Sequence, residues 1–262
     1  MIGFLIKKTF YDLWDNLFKI VLLNLGFFAC SAIPIFLPRL ATLFIQSAAL
    51  EIALTAFGIL CCTVYLSAAA LTIKPVSDYS SFTFKEFLQS FKKAWPAGLV
   101  LGLIVFVIFL IMTVIIPFYL QMESPVLGLA LAAIIFWTAV FAVLSIQYFF
   151  TVIARLNPSG LVKALKKCML IAFDNTALSF FLILNNIIAL VVSVFFAFMF
   201  PGPVGVLLYL DEALRLRLLK YDWLEANPNE NRRKIPWDAL LIEERERTGT
   251  RTFRNFIFPW KE

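Results

Sequence analysis

The chain has 262 residues, 61% of them hydrophobic and 15% charged, with a formal net charge of +6 and a mean hydropathy of +0.88. Soluble domains average ~45–50% apolar and ~25% charged, so an ordinary water-soluble globular domain is excluded. The chain contains no histidine, which removes histidine general bases, histidine proton relays and the commonest metal ligands.

Six apolar runs follow one another along the chain. A run of ~18 or more apolar residues is a candidate membrane helix, because ~20 residues cross a hydrocarbon core of ~30 Å. The first run covers residues 19–37 and is expected to end at Pro38. Lys7-Lys8, the apolar stretch and Ala29-Cys30-Ser31-Ala32 have the outline of a cleaved signal peptide. Asp12, Trp14 and Asp15 interrupt that outline and the run continues to Leu37, so it reads as a retained helix. The second run, 52–73, stops at Lys74-Pro75, and the third, 96–116, stops at Pro117. The fourth spans 125–153 and is long enough to tilt; the fifth spans 176–200. The sixth, 204–219, is the weakest, because Asp211-Glu212 intrudes after a short apolar stretch.

Charge decides the topology. With six crossings, 22 of the 23 Lys and Arg residues fall on one side, and only Arg39 is left on the other. Lys and Arg next to membrane helices are retained in the cytoplasm. Six crossings therefore predict both termini in the cytoplasm, whereas five would place the basic tail outside. The expected class is an all-α integral membrane protein of the bacterial cytoplasmic membrane. Residues 1–219 form the membrane domain and 220–262 a cytoplasmic tail.

A local pattern recurs before each pair of runs: Ile6-Lys7-Lys8-Thr9-Phe10, Phe91-Lys92-Lys93-Ala94-Trp95 and Leu165-Lys166-Lys167-Cys168-Met169. Each is apolar, Lys, Lys, small, large apolar. Three elbow-plus-hairpin repeats would produce this; so would a shared need for lysine at the headgroups. Phe84, Phe87, Leu88, Phe91 and Trp95 recur at helical spacing, so the elbow is an amphipathic helix. Such a helix lies in the interface with its lysines on anionic lipid, or docks on a cytoplasmic partner. Lys92, Lys93, Trp95, Lys166 and Lys167 are the candidate contacts.

Polar residues within the runs are few. Glu51 precedes the second run, and residues 41–50 are expected to lie along the outer surface, placing Glu51 at the headgroups near Arg39. The functional reading makes it a coupling or substrate carboxylate. Asn185 and Asn186 sit mid-run in the fifth span; they join helices or line a polar path. Asn24, Thr138, Ser145 and Gln147 are weaker marks of the same kind. Cys30, Cys61, Cys62 and Cys168 show no metal spacing and read as small packing residues. No glycine-rich phosphate loop is present. Neither a catalytic site nor a cofactor or metal is expected, and the basic balance needs no nucleic acid.

The tail starts with a turn at 227–231. Residues 238–248 predict one short helix ended by Gly249. The aromatic, basic end contains Phe256, Phe258 and Trp260. It is expected to dock on the protein's own inner face, at the lipid interface or on a partner.

Two stretches carry a resemblance. Leu23-Asn24-Leu25 through Ser31-Ala32-Ile33-Pro34 is similar to the first-helix pattern of the YesL-like (DUF624) family of bacterial membrane proteins. Phe84-Lys85-Glu86-Phe87 through Ala94-Trp95-Pro96-Ala97-Gly98 resembles that family's elbow, with Ala94 in place of its Asn and an extra stretch at 41–51. The resemblance covers roughly residues 10–210 and implies a role beside carbohydrate ABC importers, with permease or ATPase subunits as partners. It supplies no catalytic residues. The coupling loop of importer permeases is absent despite Glu212-Ala213. The expected function is a non-catalytic accessory subunit of a solute-uptake system in the lipid bilayer. The alternative is a small stand-alone transporter with a path through Asn185, Asn186 and Glu51.

Overall fold

The computed structural model describes residues 1–231 and 235–249. Among them there is no strand. Twelve helices follow in order: α1 (Ile2–Asp15), α2 (Leu17–Thr42), α3 (Ala48–Ser77), α4 (Phe84–Leu110), α5 (Ile116–Leu120), α6 (Pro125–Ile146), α7 (Phe149–Leu156), α8 (Leu161–Asp174), α9 (Thr176–Phe195), α10 (Gly202–Ala226), α11 (Trp237–Leu240) and α12 (Ile242–Thr248). A π-helical turn, Ile111–Ile115, joins α4 to α5.

Five stretches are long and apolar enough to cross a membrane: Leu17–Thr42, Ala48–Ser77, Phe84–Leu120, Pro125–Leu156 and Thr176–Phe195. Their outer flanks stay uncovered. Phe18, Phe44 and Phe195 are 87%, 86% and 83% exposed, a surface that suits lipid and not water.

The prolines do not end the runs as expected. α2 passes Pro38 to reach Thr42, α3 passes Pro75 to reach Ser77, and the third span passes Pro117 to reach Leu120. In hydrocarbon a helix break exposes several backbone groups, whereas an internal proline removes one donor. Continuity is therefore the smaller cost. Residues 41–50 do not form one separate stretch between the two spans. Ala41 and Thr42 complete α2, and α3 starts at Ala48, capped by Ser47. The fourth run breaks after Ile146 and resumes as α7.

The elbows differ among themselves. α1 and α8 are separate helices of 14 residues each. Each ends on an Asp-Asn pair, Asp15-Asn16 and Asp174-Asn175, and in each the Asn side chain donates back to the carbonyl four residues earlier, Asp12 or Ile171. The middle elbow is not separate. Thr83 and Glu86 form a capping box at its start, and the helix runs straight into the third span.

Small residues set how closely the spans approach. On α4, Ala94, Gly98 and Gly102 recur every fourth residue and face α3. A Cβ on Gly98 would collide with the Val64 backbone, so this seam needs glycine. Ser67 donates its hydroxyl to the Ala94 carbonyl across it, 2.9 Å.

α10 is the centre of the bundle. It packs against α1, α2, α3, α7 and α9, and its residues from Leu207 to Leu214 are all buried. That enclosure by protein explains how a helix too polar for a lipid-facing span keeps Asp211 and Glu212 inside. Its start is held by Asn24 of α2. The Asn24 amide donates to the carbonyls of Met199 and Pro201 and accepts from the Val204 N–H, at 3.0, 2.8 and 2.9 Å. α10 continues past residue 219 to Ala226, so the membrane part and the tail share one helix.

The tail folds back onto the bundle. The single helix expected over 238–248 is two, α11 and α12, separated at Leu241, whose side chain is fully buried. Lys7 donates to the Gly249 carbonyl, 3.3 Å. The cysteines are free; Cys168 is buried and the other three half-buried.

Candidate functional site

The chemistry of the molecule is concentrated at one end, where the ends of α3 and α7 meet α1, the middle of α10 and α12. Three cations, Lys8, Arg155 and Arg215, are joined by ion pairs to five carboxylates, Asp12, Asp78, Asp211, Glu212 and Glu244.

On the α7 side, Arg155 lies in the last turn of its helix, where a cation complements the helix dipole. Its guanidinium grips Asp211 with a fork: Nε to Oδ1 at 2.8 Å and Nη2 to Oδ2 at 2.5 Å. The Ser77 hydroxyl donates to the same Oδ2 at 2.5 Å, and Arg155 Nη1 reaches Asp78 at 3.1 Å. A bidentate Arg–carboxylate pair is the strongest form of such a contact. Asp211, 1% exposed, therefore has its charge fully met.

On the α1 side, a single ammonium is shared. Lys8 Nζ sits 2.5 Å from Asp12, 3.0 Å from the Ser77 carbonyl and 3.4 Å from Glu212 Oε1. Thr9 Oγ1 lies 2.6 Å from Glu212 Oε2. Both Lys8 and Glu212 are 1% exposed.

The tail closes the cluster. Arg215 bonds Asp78 at 3.0 Å, Glu244 at 2.7 Å and the Ser77 carbonyl. Tyr79 donates to Glu244 Oε2 at 2.7 Å. Its backbone is left-handed, φ 60°, a conformation a tyrosine keeps only where surroundings enforce it. Here the ring is clamped, with Lys8 4.3 Å and Arg215 5.2 Å from its centroid. Burial pushes the Tyr79 phenol up, above its ordinary value, so it remains a donor. A cleft of about 420 Å3 opens beside it, lined by Asp12, Asp15, Tyr79, Ser81 and Arg247 among others.

A smaller polar joint ties α10 to the start of α9. Asp174 accepts from Lys220 at 3.1 Å and from Tyr221 at 2.8 Å, and Asn175 donates to Tyr221 at 2.6 Å. Burial raises the Tyr221 phenol to about 12.

The residues singled out from the sequence are dispersed. Glu51 is exposed in the first turn of α3 and forms no ion pair with Arg39. Asn185 and Asn186 are half-buried on the middle of α9; the Asn186 Oδ1 is buried without a hydrogen-bond partner among the described residues. An apolar groove of about 510 Å3 between α2, α9 and α10 takes in Leu190 but neither asparagine. Glu51 and the two asparagines thus share no described cavity. Lys92, Lys93, Lys166 and Lys167 are exposed, as is Trp95. Phe256, Phe258 and Trp260 lie outside the described residues.

The buried network was not legible as a site. Lys8 and Arg155 had counted only as membrane-side charges, and Asp211-Glu212 only as a flaw in the sixth run. The available signal was that flaw: two adjacent acids in an apolar run require partners. No family model, curated protein or solved structure matches the chain.

Proposed function

We propose that the chain is a non-catalytic accessory subunit of a bacterial solute-uptake system. It crosses the cytoplasmic membrane six times, with α10 as the sixth span, and keeps both termini inside. The observation that carries this reading is the closed charged end. Its buried cations and acids are engaged with one another and with the tail, and the polar residues of the spans are not aligned into a path. What remains free is the exposed basic surface of the elbows, Lys92, Lys93, Lys166 and Lys167, a surface suited to anionic headgroups and to a partner's acidic face. The equal lengths and shared Asp-Asn ends of α1 and α8 support a repeated elbow-plus-hairpin unit, with the middle copy fused into α4.

Mild-detergent capture from the native membrane, followed by mass spectrometry, tests the reading. Permease or ATPase subunits should be recovered in stoichiometric amount, and Lys92→Glu with Lys93→Glu should release them without unfolding the protein. Recovery of the protein alone would overturn it. One observation favours the transporter alternative: the buried, unpartnered Asn186 Oδ1. Under that reading, reconstituted vesicles take up solute without a partner and Asn186→Ala abolishes uptake.

A further inference from the structure

The contact between α1 and α10 holds more acceptors than it has protons. Lys8 is the cation facing Glu212. Its shortest bond, 2.5 Å, goes to Asp12, and a second goes to the Ser77 carbonyl; Glu212 is reached only at 3.4 Å. One positive charge therefore stands between two carboxylates. The other charges nearby are committed. On α10, Asp211 is held by Arg155 of α7, and Arg215 is held by Asp78 and by Glu244 of α12. Tyr209, one turn before Glu212, has a buried hydroxyl without a partner among the described residues. Lys19 of α2 turns away to Ser81 and the Phe82 carbonyl. A second buried negative charge at this point has no counter-ion among the described residues and is costly.

Hydrogen-bond bookkeeping reaches the same point independently. Thr9 Oγ1 lies 2.9 Å from the Leu5 carbonyl and 2.6 Å from Glu212 Oε2. A hydroxyl carries one proton and cannot donate to both acceptors. Both contacts are satisfied if Glu212 donates to Thr9 and Thr9 donates to Leu5. That arrangement puts the missing proton on Glu212.

We propose that Glu212 and Asp12 form a proton-binding site between α1 and α10, occupied at neutral pH by one proton on Glu212. The proton locks the N-terminal elbow against the central helix. Its loss would set two anions against one lysine inside the bundle and push α1 away. This stands whether or not the chain works beside a partner.

The sign of the pH dependence follows. The folded chain holds a proton here that the unfolded chain releases above the ordinary Glu value of ~4.3. Between that value and the site's own titration, stability falls as pH rises, by up to about tenfold in the folding constant per pH unit. Infrared spectroscopy of the full-length protein in nanodiscs at pH 7 tests the site. A protonated-carboxyl band should be present in the wild type, retained in Asp211→Asn and absent in Glu212→Gln. Asp12→Asn should also abolish it, because Lys8 then neutralises Glu212 alone. Thermal unfolding of Glu212→Gln should lose the alkaline fall in stability. A band that survives Glu212→Gln would overturn the proposal, as would an unchanged pH slope in that variant. Absence of the band together with stabilisation by sodium at fixed ionic strength would assign a metal cation to the pair and also overturn it.

Discussion

α10 hands one carboxylate to α7 and the next to α1, and the two contacts are built differently. Asp211 meets a whole guanidinium fork plus a serine hydroxyl. Glu212 meets a threonine hydroxyl and a distant share of a lysine already bonded to Asp12. Both acids are equally buried, at 1% exposure. Burial alone therefore does not decide whether a carboxyl is an anion; the number of cations per acid does. The α7 contact is a closed ion pair, and the α1 contact is short of one charge.

Arg155→Met should have the largest effect on this pair. It leaves Asp211 buried and unpaired, a loss of ~3–5 kcal/mol, read as a large fall in Tm in detergent. Adding Asp211→Leu should restore most of that stability, since an apolar pair of similar volume replaces a buried ion pair at little cost.

Lys8→Met should cost less, ~1–3 kcal/mol, because Asp12 alone loses a counter-ion while Glu212 is already neutral. Equal losses in Lys8→Met and Arg155→Met would mean that both acids are ionised and would erase the contrast. The same thermal melts decide this.

Glu244→Ala should be milder still, ~1 kcal/mol, since Arg215 keeps Asp78 and the Ser77 carbonyl. Its clearer readout is limited proteolysis: the α11–α12 segment should be cut faster while the bundle stays intact. Least of all, Lys166→Glu with Lys167→Glu on exposed α8 should leave Tm within ~0.5 kcal/mol of wild type. Binding to anionic vesicles should nevertheless weaken measurably.

Much of the architecture was legible because hydropathy is a local property. The five long spans follow from windows of a few tens of residues. Asn24, read as a polar mark that joins helices, does so. The errors share one cause. Pro38, Pro75 and Pro117 read as stops because a proline weakens an isolated helix, yet the bilayer penalises a broken one more. Glu51 drew attention because its position next to an apolar run is visible in one dimension, while its exposure is not.

By itself the sequence determined that the chain is helical and that it presents several membrane-length spans, because each of these depends on composition within a segment. Only the tertiary structure decided which acids are buried and which cations meet them. Lys8 and Glu212 are 204 positions apart, and Ser77 and Asp211 are 134 apart. No local pattern records such pairings. They arise because α10 is enclosed by five other helices, and in that low-dielectric interior every charge must find its partner from across the chain.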